Sequence, residues 1–331
     1  MKEITYIVTG AAGHLGSHVV QKLLMQSSQV RILLLPNETC PRFIDTNRFL
    51  LKEYTGDVCD ITSLKRLFDH KESRETIVIH CAGIISITKK EDPRVYDVNV
   101  AGTANIIGMC RRYAVKRLVY ISSVHAIPVQ PHGQTMKEIK EFDPDKVHGY
   151  YDKTKAAATR LVLDAGKTGL DTVVLHPSGI IGPFGLPTGN MSHLIKKFLS
   201  GKLPLVIHGG YDFVDVRDVA DGILSAALKG KKGECYILSN RFVGFNELFD
   251  TLSQICGKKT KSRYIPMWVA KTAAPFAELY YRLAKKTPLF TRYSLGKLSE
   301  NAMYSHEKAN RDLSYKTRPL RNTLKDIVQY V

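Results

Sequence analysis

The chain has 331 residues, 44% of them hydrophobic and 24% charged, with 24 Gly, 14 Pro and a single Trp. That balance excludes collagen-like, low-complexity and largely disordered classes, and the length allows one large α/β domain or two smaller ones. A formal charge of +17 raises nucleic acid, anionic lipid or an acidic substrate as partners, but the excess is scattered, and its densest piece (Lys258, Lys259, Lys261, Arg263) reads as a solvated face.

In chain order, Ile4–Thr9 is a short apolar run ending in a glycine-rich turn, and His14–Met25 carries Leu15, Val19, Val20, Leu23 and Leu24 at helical spacing. Val30–Leu35 is apolar throughout, as a parallel strand buried on both faces would be. Tyr54–Val58 reads as a strand, Thr62–His70 as a helix, Thr76–Cys81 as a strand and Arg94–Arg112 as one long helix. The strand Arg117–Ser122, the helix Tyr151–Lys167 and the strand Thr172–His176 continue the rhythm. Such alternation implies right-handed βαβ units, so the expected fold class is α/β with a doubly wound parallel sheet. Past His176, Pro177, Gly179, Gly182, Pro183, Gly185, Pro187 and Gly189 mark a turn-rich stretch. Phe213–Leu228 and Cys235–Leu238 read as a return to the sheet, and the remainder is mainly helical, with one short strand near Lys261–Ile265. The expected division is a dinucleotide-binding domain over 1–176, its sheet rejoined by about 213–239, and a smaller lobe made of 177–212 and 240–331.

Six cysteines (Cys40, Cys59, Cys81, Cys110, Cys235, Cys256) are widely spaced, with neither disulfide-framework nor zinc spacing, so reduced thiols are expected. The chain begins Met1-Lys2-Glu3 without a signal-peptide pattern, and Tyr264 to Tyr281, its nearest approach to a membrane span, is broken by Lys271, Pro275 and Glu278. The expectation is a soluble cytoplasmic protein with no stable membrane association.

Thr9-Gly10-Ala11-Ala12-Gly13-His14-Leu15-Gly16 lies between the first strand and the first helix. In such a turn Gly10 permits the tight bend, Gly13 lets the backbone approach a pyrophosphate, and Gly16 allows close helix–strand packing; the helix N-terminus holds the anion. Farther on, Tyr151-Asp152-Lys153-Thr154-Lys155 opens a helix, and its Tyr and Lys, four apart, share one face. An ammonium beside a phenol favours the phenolate and should lower its pKa, bringing acid/base chemistry nearer neutral pH. Ser122-Ser123 ends an intervening strand, at the sheet edge where sites in open α/β folds cluster.

The glycine turn, the Ser pair and Tyr151/Lys155 together resemble the extended short-chain dehydrogenase/reductase family. Further pieces match in order. Gly56-Asp57-Val58 resembles the family's adenine-contacting acid, His80-Cys81-Ala82-Gly83 its cofactor-lining loop, and Asn99 within Asp97–Thr103 its structural Asn. His176-Pro177-Ser178-Gly179 leads the stretch to Pro183 that resembles the branch containing dihydroflavonol reductases and 3β-hydroxysteroid dehydrogenases. The resemblance covers essentially the whole chain. It implies a Rossmann-type fold with a mainly helical C-terminal substrate lobe, an NAD(P)-dependent oxidoreductase, and a catalytic set of Ser123, Tyr151 and Lys155. In that set Tyr151 relays the proton, Ser123 polarises the substrate oxygen, and Lys155 holds the nicotinamide ribose and tunes the phenol. The cofactor would then meet Gly10, Ala12, Gly13, His14, Leu15, Gly16, Asp57, Val58, Cys81, Ala82, Gly83, Asn99, Tyr151, Lys155 and His176 to Gly179.

One departure concerns the cofactor. The acid or Arg that selects between NAD and NADP is replaced by Leu34 and Leu35. Asn37 or Glu38 is positioned to reach ribose hydroxyls and Arg42 to reach a phosphate, so NAD(H) and NADP(H) both stay open. Another concerns the substrate. Nucleotide-sugar epimerases and dehydratases carry a basic clamp for a diphosphate, whereas this chain offers Asp212 and Asp215 within Gly209–Val216, acids expected to repel one. The helix Met267–Arg282 supplies Trp268, Phe276 and Tyr280, expected to wall a hydrophobic ring system. The favoured activity is interconversion of a secondary alcohol and a ketone on a hydrophobic cyclic or aromatic substrate. A nucleotide-sugar epimerase or dehydratase is the alternative, with Lys196, Lys197 and Lys202 as its overlooked clamp; a catalytically silent redox-sensing or nucleic-acid-binding scaffold is a third class. His125 and His148 are candidates to line the substrate site. Neither a metal nor a nucleic-acid partner is expected. The helices Arg94–Arg112 and Tyr151–Lys167 resemble the family's dimer interface, which implies a homodimer with apolar contacts from Val100, Ile107, Leu161 and Val162.

Overall fold

In the computed structural model the strands run in chain order β1 (Ile4–Thr9), β2 (Gln29–Leu34), β3 (Leu51–Thr55), β4 (Glu75–His80), β5 (Arg117–Ile121), β6 (Thr172–Pro177), β7 (Gly179–Ile181), β8 (Leu205–Ile207), β9 (Gly210–Asp215), β10 (Cys235–Leu238), β11 (Arg241–Gly244) and β12 (Arg263–Ile265). The helices are α1 (His14–Met25), α2 (Ile61–Phe68), α3 (Pro93–Tyr96), α4 (Gly102–Arg112), α5 (Tyr150–Lys167), α6 (Asn190–Leu199), α7 (Val216–Lys229), α8 (Phe245–Cys256), α9 (Met267–Leu283), α10 (Arg292–Leu298), α11 (Glu307–Leu313) and α12 (Leu320–Tyr330). The structure describes residues 4–44, 47–69, 75–86, 91–185, 190–203, 205–257, 262–283 and 292–330.

Seven strands form one parallel sheet in the order β10-β6-β5-β4-β1-β2-β3. The apolar runs of β1, β4 and β5 are buried on both faces, and each fully buried Val, Leu or Ile there contributes roughly 1.5–3 kcal/mol. One face packs on α1, α7 and α11 through Val19, Leu23, Ile223 and Leu313. The other packs on α2, α4 and α5 through Leu64, Leu67, Ile106 and Val162. Strand order reverses between β1 and β4, and a crevice at their C-terminal ends is where doubly wound sheets bind ligands.

Of the stretch 213–239, α7 and β10 rejoin this sheet, whereas residues 213–215 lie in β9, which pairs in parallel with β7 and antiparallel with β11 as a separate three-stranded sheet. The C-terminal lobe has its own core, where Phe198, Phe213, Phe249, Leu252 and Leu324 meet. The helix expected over Arg94–Arg112 runs without interruption from Pro93 to Arg112, with a π turn at Asp97–Ala101 between α3 and α4. Val58 packs on Gly102 just past this turn, where a Cβ would meet Val58 Cγ2 at 2.7 Å.

Two expectations about surfaces need correction. Val100, Ile107 and Val162 are buried within the chain, leaving only Leu161 of the four exposed. Trp268 is 69% and Phe276 77% exposed, so neither walls a cleft. The inward face of α9 is instead the narrow one, Ala270 and Ala274, packed with Ile207 and Leu295. The Tyr280 side chain lies outside the described residues, as do Lys258, Lys259 and Lys261. No helix among the described residues is long and apolar enough to cross a membrane.

Candidate active site

The glycine turn sits at the strand-order reversal. Gly10 has φ +67°, and a Cβ there would lie 2.6 Å from Ala82 N and 2.8 Å from Cys81 C, so the turn rests directly on the backbone that follows β4. A Cβ on Gly16 would come within 2.1 Å of the Gly10 carbonyl oxygen, which is why α1 starts so close to β1. Helix α1 begins after Gly13 with neither a side-chain cap nor an acid in its first turn. Its leading N–H groups and positive dipole end therefore suit an anion, and these residues fit a dinucleotide pyrophosphate. Beneath the turn, Thr9 Oγ1 and Thr103 Oγ1 bracket the buried His80 ring at 2.7 and 3.1 Å, and Ala82 N donates to Thr9 Oγ1 at 3.3 Å.

Strand β5 delivers the Ser pair to the same edge. Ser122 Oγ is taken by Thr159 Oγ1 of α5 at 2.7 Å. Ser123, by contrast, accepts from His125 N–H at 3.2 Å and stands near enough to the Tyr151 phenol to favour its ionised form. Helix α5 starts after Gly149, whose φ of +121° turns the chain into it without a side-chain cap. Lys155, one turn beyond Tyr151, is buried and donates from Nζ to the Ile121 carbonyl at 2.9 Å. A Cβ on Gly83 would sit 3.4 Å from that Nζ and 3.2 Å from Asn99 Oδ1, so the loop after β4, the π turn and α5 converge. Asn99 spends its amide on both backbone groups of Ile84 and on Thr154 Oγ1, which holds the loop open beside Lys155.

The electrostatics differ from the sequence expectation. Burial pushes the Tyr151 phenol up, and only the nearby Ser123 opposes the rise. Lys155 is itself lowered to about 8 by burial, partly offset by Cys81. Burial dominates at both groups, so in the chain alone the phenol is protonated at neutral pH.

The other cofactor candidates divide. Ala12, His14 and Leu15 belong to the turn and the start of α1, and Cys81 and Ala82 form its floor. Asp57 is half-buried and accepts from Cys59 N–H at 2.9 Å, while the neighbouring Val58 carbonyl accepts from Asn105. Asn37 is exposed on the loop after β2, where Glu38 Oε2 accepts from Leu35 N–H at 3.0 Å. The His14 ring faces a loop carbonyl, its Nε2 3.0 Å from Pro183 O, and His18 Nε2 meets the same oxygen at 3.2 Å. His176 and Ser178 turn their side chains into the fold instead of the crevice. His176 Nδ1 donates to the Ser123 carbonyl at 2.9 Å with its ring stacked on Phe142, and Ser178 Oγ donates to Asp212 Oδ1 at 2.5 Å. Pro177 closes β6 in register with Leu238. Gly179 lies against Tyr211, where a Cβ would meet the ring at 2.7 Å.

Asp212 and Asp215, expected to repel a diphosphate, are both buried and held by neighbouring donors. Asp212 is fully buried, also accepts from Asn240 N–H at 3.0 Å, and is raised to about 6 by burial. Asp215 caps α7 and pairs with Arg217 at 2.7 Å. Lys196 and Lys202 are exposed on and after α6. Among the described residues no group of His, Cys, Asp and Glu is placed to hold a metal.

Beside Tyr151 a cleft opens between the end of β5, the start of α5 and residues 297–304. Val124, Ile127, Val129 and Val147 supply its apolar wall, with Lys146 and the exposed His148 at its rim. His125, Tyr211 and Lys297 complete it. The sequence flagged His125 by its nearness to Ser123, but Tyr211 and Lys297 carry no local signal, since only the packing of β9 and α10 brings them here.

The NAD dependent epimerase/dehydratase family model matches residues 6–239. The chain is 26% identical to "Sterol demethylase protein B" of Methylococcus capsulatus over 99% of this chain and 98% of that one. It is 29% identical to "3beta-hydroxysteroid-dehydrogenase/decarboxylase isoform 1" of Arabidopsis thaliana over 93% and 75% of the two chains. Among solved structures, "gox2253" superposes with a TM-score of 0.82 at 27% identity, covering 98% of this chain and 97% of that one. A UDP-glucose 4-epimerase of Thermotoga maritima gives 0.77 at 21% identity over 98% of both chains, a likeness of fold alone. With the glycine turn, the parallel sheet and the Ser-Tyr-Lys cluster in place, the chain belongs to the NAD dependent epimerase/dehydratase family, in its extended short-chain dehydrogenase/reductase branch.

Proposed function

We propose that this enzyme interconverts a secondary alcohol and a ketone on a hydrophobic cyclic or aromatic substrate, with NAD(H) or NADP(H) as cofactor. The observation that carries the reading is the gathering of Ser123, Tyr151 and Lys155 at the end of β5 and the start of α5, next to a cleft lined by their neighbours Val124, His125 and Asp152. The bound nicotinamide supplies or removes the hydride. Gly10–Gly16 and Cys81–Gly83 seat the dinucleotide, and Lys155 holds its ribose. In the reducing direction Tyr151 gives its phenolic proton to the carbonyl oxygen while the Ser123 hydroxyl donates to that oxygen. Lys155, still charged near neutral pH, steadies the phenolate left behind. A phenol kept protonated by burial starts in the state this direction requires. Sterol and steroid chemistry in the names of two relatives supports a lipophilic substrate.

The same reading assigns residues 1–176 and the returning segment 213–239 to cofactor binding and the remainder to the substrate. It also assigns a homodimer through the outer faces of α4 and α5, where Ala104, Gly108 and Leu161 are exposed. Calorimetric titration with UDP, UDP-glucose and dTDP-glucose, beside a panel of steroid and aromatic ketones in the presence of NAD(P)+, tests the substrate class. Ketone binding without nucleotide binding is expected. Micromolar affinity for any of the three nucleotides sinks the reading in favour of nucleotide-sugar epimerisation.

A further inference from the structure

Asp152, the residue after Tyr151, is 1% exposed and paired with Lys297 Nζ at 2.6 Å. Lys297 lies on α10, in the C-terminal lobe, and also meets Glu300 at 3.0 Å. The same carboxylate lies 3.5 Å from His125 Nδ1. The other ring nitrogen, Nε2, is 3.0 Å from the Tyr211 hydroxyl of β9. The Nε2–Tyr211 hydrogen bond orients the imidazole and leaves Nδ1 facing the Asp152 carboxylate. Its ring stacks on Tyr211 at 5.8 Å and stands edge-on to the Tyr151 ring at 5.9 Å and 72°.

A buried ion pair is a poor source of stability, because desolvation offsets most of its Coulomb gain. This one joins the substrate lobe to the residue beside the phenol, and its imidazole partner forms one wall of the ring. We propose that Asp152, His125 and Lys297 are a positioning unit for Tyr151, through which the seating of the C-terminal lobe sets the ring's orientation and the charge around it. The proposal rests on reading Tyr151 as the acid/base. Around the phenol stand Ser123 and His125 from the segment after β5, Tyr120 from β5, and Asp152 and Lys155 from α5, with Lys297 and Glu300 behind Asp152. Removing the Asp152 charge leaves Lys297 to favour the phenolate; removing Lys297 leaves Asp152 to disfavour it. The two changes must therefore act with opposite signs, which general loosening would not produce.

The test places a ring-fluorinated tyrosine at position 151 of the full chain, saturates it with NAD+ or NADP+, and follows the fluorine resonance against pH. Asp152→Asn should lower the titration midpoint and Lys297→Met should raise it, each by at least about half a unit, with Lys297→Arg returning it to the parent value. His125→Phe, which keeps a ring but neither nitrogen, should move the resonance without changing dinucleotide affinity. Should Lys297→Met fail to fold around an unpaired carboxylate, the near-isosteric Asp152→Asn carries the sign alone. Midpoints that stay at the parent value or move in one direction together overturn the proposal, and an unmoved line in His125→Phe removes His125 from the unit. Turnover of Tyr151→Phe is read separately: full activity there would refute the acid/base role and leave the titration result standing.

Discussion

Gly10→Ala tests the dinucleotide site without any knowledge of the substrate. An L-residue at φ +67° costs about 1–2 kcal/mol. The new methyl group would also stand 2.6 Å from Ala82 N, 2.8 Å from Ala82 Cα and 2.8 Å from Cys81 C. All three are backbone atoms at the end of a central strand, so no side chain can rotate away, and overpacking adds about 1–3 kcal/mol. Together these lower the melting temperature by roughly 3–7 °C for a chain of this size. Because the atoms displaced are the floor of the cofactor crevice, NADH or NADPH affinity should fall at least about tenfold, or about 1.4 kcal/mol. Thermal scanning and a nicotinamide fluorescence titration read the two effects. A Gly10→Ala protein with parental melting and parental cofactor affinity would refute the placement of the turn.

Three further outcomes follow from the geometry. Ser123→Ala should cut turnover by about 10²-fold or more, whereas Ser122→Ala, which leaves Thr159 its bond to the Lys155 carbonyl, should mainly affect stability; equal losses of turnover would contradict the choice between them. Burial holds His18 at about 4, below its ordinary 6.5, so the unfolded chain binds the extra proton first. The stability this neutral ring contributes is complete above pH 6.5 and is lost as pH falls through 4, and thermal scans of His18→Gln should show a smaller acid-side loss than the parent. Light scattering should report twice the 37.1 kDa chain mass, falling toward the monomer in Leu161→Arg; a 37.1 kDa particle at all concentrations would contradict the dimer.

What was legible in the sequence was local. The glycine turn and the four-residue spacing of Tyr151 and Lys155 lie within single elements, and periodicity located the strands of the main sheet to within a few residues. The π turn was not legible because Asn99, Gly102 and Thr103 occupy the buried face there, leaving too few apolar positions to register a one-residue shift. Charge misled where burial decides. Asp212 and Asp215 read as repulsive acids, yet Ser178 and Arg217 satisfy them inside the fold. On α9 the bulky aromatics looked like the working face, but close packing on Ile207 and Leu295 selects the alanines. The Tyr211 and Lys297 contacts around His125 join segments distant in sequence, and no spacing rule points to them.

The central claim is that Tyr151 passes a proton to a ketone held in the cleft beside it. Its most direct test is the oxidation of NADH and NADPH by the purified protein with the steroid and aromatic ketone panel, run beside Tyr151→Phe. The account predicts turnover of at least one ketone by the parent, and a loss of about 10²–10⁴-fold in the variant with cofactor affinity unchanged. Equal rates in the two proteins, or no ketone turnover alongside micromolar binding of UDP-glucose, would contradict it.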